Sequence, residues 1–113
     1  MFARLMGLST ISPRDLHHAM QTEPLTAIDV NSRQSFIKAR VPGAVHLDPL
    51  AFSASDLPAD KSSALVFYCS NPLCRKAPNA AKRAESMGYR RVRVMSAGIS
   101  GWLSANLPTD SGE

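Results

Sequence analysis

A cysteine that ends an apolar run, followed six positions later by an arginine, is the combination in this sequence best suited to chemistry. The stretch reads Ala64-Leu65-Val66-Phe67-Tyr68, then Cys69-Ser70-Asn71-Pro72-Leu73-Cys74-Arg75. A thiol becomes a nucleophile when it ionises, and its pKa falls to about 3.5–7.5 at a helix N-terminus or beside a fixed cation. Both settings are expected here. The five apolar residues read as a strand covered on both faces. After the loop, Ala77, Ala80, Ala81, Ala84 and Met87 recur at helical spacing. Pro78 suits the first helical position and Gly88 the residue just past the end. The loop thus joins the carboxyl end of a strand to the amino end of a helix. Open α/β sheets bind ligands there, and free N–H groups with the helix dipole favour an anion. The expectation is a nucleophilic thiolate at Cys69 and an anionic substrate group near Arg75. The plain alternative is an inert core cysteine at a strand end.

The elements around this loop follow from pattern. Leu8 to Ile11 reads as a short strand. Ser12-Pro13-Arg14-Asp15 has the order of a helix start: a serine cap, proline at the first position, an acid in the first turn. Leu16, Ala19 and Met20 continue its apolar face. His17 and His18 are adjacent on that helix, so they point in different directions and read as surface or partly packed residues, not metal ligands. Thr26 to Val30 is the next strand, with Asp29 near its carboxyl end; a carboxylate there is expected to be hydrogen-bonded, as a loop organiser before a catalytic group. Arg33 to Lys38 reads as a short helix, Val41-Pro42-Gly43-Ala44 as a turn, and Val45-His46-Leu47 as a short strand. His46 is placed to approach the active face, although a lone histidine after a turn is more often structural. A loop-rich stretch from Asp48 to Ser63 holds a helical turn within Ala51 to Leu57. Val92 to Met95 is a further strand, Ser96-Ala97-Gly98 a tight bend, and Ile99 to Asn106 the last helix. Trp102, Leu103 and Leu107 are available for packing. Pro108 ends that helix, and the tail to Glu113 is expected to fray. Strands alternating with helices imply βαβ units and a mostly parallel sheet in an α/β fold.

With 113 residues and no internal repeat or linker, the chain is expected to form one domain, with a core over about residues 8–108. Two cysteines do not make a disulfide framework. Without an export signal they point to a reducing compartment, the cytoplasm. No stretch approaches the roughly 20 apolar residues of a membrane span. The net charge of +4 is mild. Lys82, Arg83, Arg90, Arg91 and Arg93 cluster in sequence, but no aromatic residues interleave them as a single-strand nucleic-acid platform requires. A solvated face is the stronger reading of that cluster. Two cysteines without a second pair are too few ligands for zinc, so neither a metal nor another cofactor is expected.

Three stretches in order resemble the rhodanese-like domain, a sulfurtransferase family. The resemblance covers about Thr26 to Leu107. Asp29-Val30 followed by Val41-Pro42-Gly43-Ala44-Val45-His46 is similar to the family's first signature. Val66-Phe67-Tyr68-Cys69 leading to Arg75 is similar to its active-site strand and loop. Ser96-Ala97-Gly98-Ile99-Ser100-Gly101-Trp102 resembles its Gly-hydrophobic-x-Gly-Trp motif. The resemblance implies a three-layer fold, a central mostly parallel five-stranded sheet with helices on both faces. It assigns Cys69 the catalytic role: the thiol takes a sulfane sulfur from a small anionic donor such as thiosulfate, becomes a persulfide, and passes the sulfur to a thiol, a protein or another thiophile. Ser70, Asn71, Pro72, Leu73, Cys74 and Arg75 would then bind the substrate, with loop N–H groups curled into a nest around the sulfur and Arg75 orienting the donor. Asp29 and Cys74 would support them.

The chain departs from the family pattern at the loop. Cys69 to Arg75 spans seven residues, one more than is usual for sulfurtransferases. That spacing resembles the phosphatases of the same fold and some arsenate reductases, whose wider loop holds a tetrahedral oxyanion. Against that reading, Pro72 lacks an N–H and residues 70–74 hold no carboxylate to act as a general acid. Asn31 stands where many members have arginine, and Arg40 where many have histidine. A member that binds without catalysing is the third reading. Cys74 is the unusual residue. If the loop curls, its sulfur approaches that of Cys69, so that a disulfide forms reversibly or Cys74 resolves a persulfide. A small side chain packed beneath the loop is the simpler reading.

Overall fold

The computed structural model describes residues 2–113. Five parallel strands form one sheet: β1 (Ser9–Thr10), β2 (Thr26–Asp29), β3 (Val45–His46), β4 (Ala64–Tyr68) and β5 (Arg91–Val94), in the order β1-β5-β4-β2-β3. Five helices connect them: α1 (Phe2–Leu5), α2 (Pro13–Thr22), α3 (Arg33–Lys38), α4 (Lys76–Ser86) and α5 (Gly98–Ser104), with a 3-10 turn at Ala54–Asp56. The Oγ atoms of Ser12 and Ser32 accept the N–H of Asp15 and Ser35, capping α2 and α3. Gly88, with φ of +100°, follows α4 in the left-handed conformation that ends helices.

The sheet is covered on both faces, giving the three layers expected. Every residue of β4, the central strand, is buried. Successive side chains of a strand point to opposite faces. Leu65, Phe67 and Cys69 therefore face one apolar cluster with Ala77, Ala80, Ala81 and Ala84 of α4 and Ala3 of α1. Val66 and Tyr68 face the other, with Leu16 of α2, Phe36 of α3, and Ile99 and Trp102 of α5. The alanines at helical spacing in α4 bring that helix close to the strand, and this alternation carries the Cys69 thiol under the start of α4.

Several details differ from the expectations. The short helix α1 has no counterpart in the sequence pattern. Helix α4 begins at Lys76, so Pro78 occupies its third position; proline is tolerated there because the first-turn N–H groups have no helical partner. Leu103 is exposed, and only Trp102 and the partly buried Leu107 pack on the core. The tail does not fray. Asp110 pairs with Arg40 as an antiparallel bridge, the Gly112 N–H reaches the Ile37 carbonyl at 2.8 Å, and Arg40 Nη1 donates to the Gly112 carbonyl at 2.7 Å. Arg40 also stacks on Phe36, with Cζ 4.3 Å from the ring centroid. That arginine is committed to holding the tail against α3.

Candidate active site

Cys69 lies where β4 gives way to the loop and is 3% exposed. Its Sγ accepts the Ala77 N–H, from the first turn of α4, at 3.4 Å. The strand–cysteine–loop–helix order is thus the one expected, but the electrostatics differ. Burial pushes the Cys69 thiol up to about 12, and the neighbouring Cys74 thiol acts in the same direction; the amides of Ala77 and Ser70 oppose them and are outweighed. The sulfur sits among apolar side chains, and that desolvation exceeds the stabilisation from the helix start.

The loop above it is closed on itself. The Asn71 side chain Oδ1 accepts the Leu73 N–H at 2.9 Å, and its carbonyl accepts the Cys74 N–H at 3.1 Å. Pro72 has no N–H to offer. The full nest of amides expected around the sulfur is therefore replaced by a turn organised by Asn71. The Leu73 side chain projects into solvent. Cys74 folds back against the apolar cluster that contains Cys69, and both cysteines are free thiols. Burial disfavours ionisation of Cys74 too. Hydrogen bonds with Cys69, the Lys76 and Ser70 amides and the Ser70 side chain outweigh it, and the Cys74 pKa is lowered.

Arg75 is exposed, its Cζ 4.3 Å from the centroid of the Phe2 ring. Phe2 and Ala3 of α1 close over a cavity of about 10 Å³ that is also lined by Cys69, Cys74, Ala77 and Ser96. A volume of that size holds about one water-sized atom. The Ser96 Oγ is buried and finds no hydrogen-bond partner among the described residues. Sequence reasoning did not single out Phe2 or Ser96. The only signals were a two-residue apolar start and a polar residue in a tight bend, and neither is specific.

Family membership rests on the whole pattern. The family model described as the rhodanese-like domain matches residues 12–105. The chain belongs to this family. Among curated relatives, it is 29% identical over 104 residues to the HTH-type transcriptional regulator Rv0324 of Mycobacterium tuberculosis, covering 90% of this chain and 45% of that protein. The chain thus spans less than half of that regulator. It is 27% identical over 106 residues to the thiosulfate sulfurtransferase GlpE of Haemophilus influenzae, covering 94% of this chain and 98% of GlpE. Among solved structures, the BH2092 protein of Bacillus halodurans superposes with a TM-score of 0.84 at 20% identity, covering 97% of this chain and 83% of that one.

Two of the motifs that mark this rhodanese-like domain lie outside the Cys69 loop. The buried Asp29 accepts the Asn31 N–H at 2.8 Å through Oδ1 and the Tyr68 hydroxyl at 2.7 Å through Oδ2, while the Tyr68 oxygen accepts the Val41 N–H at 3.1 Å. Burial raises the Asp29 pKa and these bonds resist the rise. Asp29 does not line the sulfur cavity; it organises the turn on the opposite face of the sheet, the loop-organiser role read from its position. His46 is likewise structural: its Nε2 lies 2.7 Å from the Asn31 carbonyl and its ring packs on Phe36. The glycine motif fastens the loop that follows Cys69. The Ile99 and Ser100 N–H groups, at the start of α5, donate to the Cys69 and Ser70 carbonyls at 2.9 and 3.0 Å. Gly98 has φ of +67°, and a Cβ there would stand 2.5 Å from the Ser70 carbonyl carbon. Only glycine allows this approach.

Among the described residues, no group of three or more His, Cys, Asp or Glu is placed to hold a metal. No described helix is long and apolar enough to cross a membrane.

Proposed function

We propose that this rhodanese-like domain is a sulfurtransferase with Cys69 as its nucleophile. The observation that carries the reading is the placement of Cys69 Sγ at the strand end, under the Ala77 amide of α4, beside a cavity of about 10 Å³ with room for the outer sulfur of a persulfide. Cys69 attacks the sulfane sulfur of a small anionic donor such as thiosulfate. The donor's S–S bond breaks, sulfite leaves with the bonding pair, and a persulfide remains on Cys69. The Cys69 proton leaves to solvent as the thiolate forms, and the amides of Ala77 and Ser70 favour that charge. Ser70, Asn71, Pro72 and Leu73 shape the approach, and the exposed Arg75 attracts the donor's sulfonate end. The outer sulfur then passes to a thiol or protein acceptor. The similarity to GlpE along nearly the whole length of both chains supports this reading. Two free cysteines fit a reducing cytoplasm.

The seven-residue loop is the feature in favour of phosphatase or arsenate reductase chemistry. The commitment of the Leu73 and Cys74 amides to Asn71 opposes it. Incubation with thiosulfate, followed by assay of sulfite and mass spectrometry of the intact chain, tests the proposal. Sulfite release in the wild type and none in Cys69→Ala is the expected result. Sulfite release by Cys69→Ala, or hydrolysis of an aryl phosphate with no sulfur uptake, overturns it.

A further inference from the structure

The loop carries two thiols where persulfide transfer needs one. Cys74 lines the same cavity as Cys69 and packs against the same cluster. The turn closed by the Cys74 N–H on the Asn71 carbonyl brings it back over the strand end. Cys69 is buried and Cys74 is partly exposed. An external acceptor thiol must reach a buried sulfur, whereas Cys74 already lines its cavity. The cavity also presents the unpartnered Ser96 hydroxyl, a donor available to a sulfur anion.

We propose that Cys74 is a second catalytic thiol, which discharges the Cys69 persulfide as hydrosulfide. This rests on the persulfide reading above. The Cys74 thiolate attacks Cys69 Sγ, a Cys69–Cys74 disulfide forms, and the bond from Cys69 Sγ to the outer sulfur breaks. The outer sulfur takes the bonding pair and its proton and leaves as hydrosulfide. Cys74 sulfur is oxidised by one electron equivalent and the outer sulfur is reduced by the same amount, so the step balances without another reactant. The Ser96 hydroxyl donates to the departing sulfur. A low-molecular-weight thiol or a dithiol protein then reduces the disulfide by exchange, supplying two electrons and two protons. The acceptor class for this route is therefore a reducing thiol, and the sulfur leaves by it as hydrosulfide when no external acceptor has taken it.

The test is a single turnover of the fully reduced protein with thiosulfate and no added thiol. Sulfite and sulfide are both assayed, and the intact chain is weighed under acid quench. The wild type is expected to release sulfite and a matching amount of sulfide and to end two hydrogens lighter, with a Cys69–Cys74 cross-link in its peptide map. Cys74→Ser, with Cys74→Ala beside it, is expected to release sulfite and stop one sulfur heavier, giving sulfide only after dithiothreitol is added. Wild-type protein that accumulates persulfide without a cross-link overturns the proposal, as does a Cys74 variant that releases sulfide at the wild-type level. Either result leaves the persulfide reading standing. Absence of sulfite from both proteins overturns the persulfide reading and this proposal together.

Discussion

The guanidinium of Arg75 stacks on the ring of Phe2, its Cζ 4.3 Å from the centroid, and Phe2 in turn lines the cavity beside Cys69. The arginine that the sequence marks as the anion binder is therefore held by an aromatic residue of α1. Such a contact is worth about 0.5–1 kcal/mol at an exposed site. Phe2→Ala is expected to favour the open rim by about 2–5-fold, the equilibrium change that this energy implies. The rate at which a small disulfide reagent modifies the buried thiol should rise by the same factor. An unchanged rate would mean that α1 does not govern access.

The two thiols should differ in reactivity, in the order opposite to their distance along the loop from β4. Cys74 is partly exposed with a lowered pKa, and Cys69 is buried with a raised one. Iodoacetamide at pH 7 is expected to label Cys74 first, as read by peptide mapping. Alkylation follows the thiolate and its accessibility. Preferential labelling of Cys69 would show that the loop opens and the helix start captures the charge.

Alkaline stability should report the buried thiol. Cys69 stands at about 12 in the folded chain and near 8.5 in the unfolded one. A raised folded pKa means that the native state keeps a proton the unfolded state has lost. Its stabilising contribution is full below about pH 8.5 and is lost as pH rises toward 12. The Tyr68 hydroxyl, raised by burial and by the Asp29 charge, adds to the loss at the upper end. Urea midpoints of the wild type are expected to fall above about pH 9, and those of Cys69→Ala to fall less steeply. Parallel slopes would place the Cys69 proton in solvent contact.

Asp29 and Tyr68 offer a test of the far face. Tyr68→Phe leaves Asp29 Oδ2 without its donor and the Val41 N–H without its acceptor, both in buried surroundings. The expected cost is about 1–3 kcal/mol in urea denaturation. Because the contact lies across the sheet from Cys69, cysteine labelling rates should not change. Labelling that rises with the loss of stability would show that the two faces are coupled.

The fold was legible because its rules are local and periodic. The apolar run of Ala64 to Tyr68 and the alanine spacing of α4 define the strand and helix that meet at the loop, and the structure departs from those bounds by one residue at each end of α4. The site was legible in its order but not in its charge. Ionisation depends on the balance between burial and amide contacts, a property of packing that no residue pattern carries. Asn71 illustrates the difficulty: its side chain competes for the Leu73 amide that a nest would need, and only the folded loop shows which wins. Helix α1 was invisible because four residues are too few to show helical periodicity. The tail's order was hidden because its partners, Ile37 and Arg40, are some 70 positions away, as the 72-residue separation of the Arg40–Gly112 contact shows.

The glycine of the last motif should matter to catalysis as well as to stability. Gly98 has φ of +67°, and an added Cβ would lie 2.5 Å from the Ser70 carbonyl carbon and 2.6 Å from the Asn71 nitrogen. A side chain in the left-handed region costs of order 1–3 kcal/mol by itself. The backbone collision then forces the loop away from α5, breaking the bonds from Ile99 and Ser100 that hold Cys69 and Ser70. Gly43 is the control, since its φ is +77° and an added Cβ there would meet nothing within 4 Å. Gly43→Ala should lose stability and keep its rate of sulfite release from thiosulfate. Gly98→Ala should lose more stability and most of that rate, measured at a temperature where both proteins remain folded. Equal rates in the two variants would mean that the loop tolerates displacement and that the contact with α5 does not position Cys69.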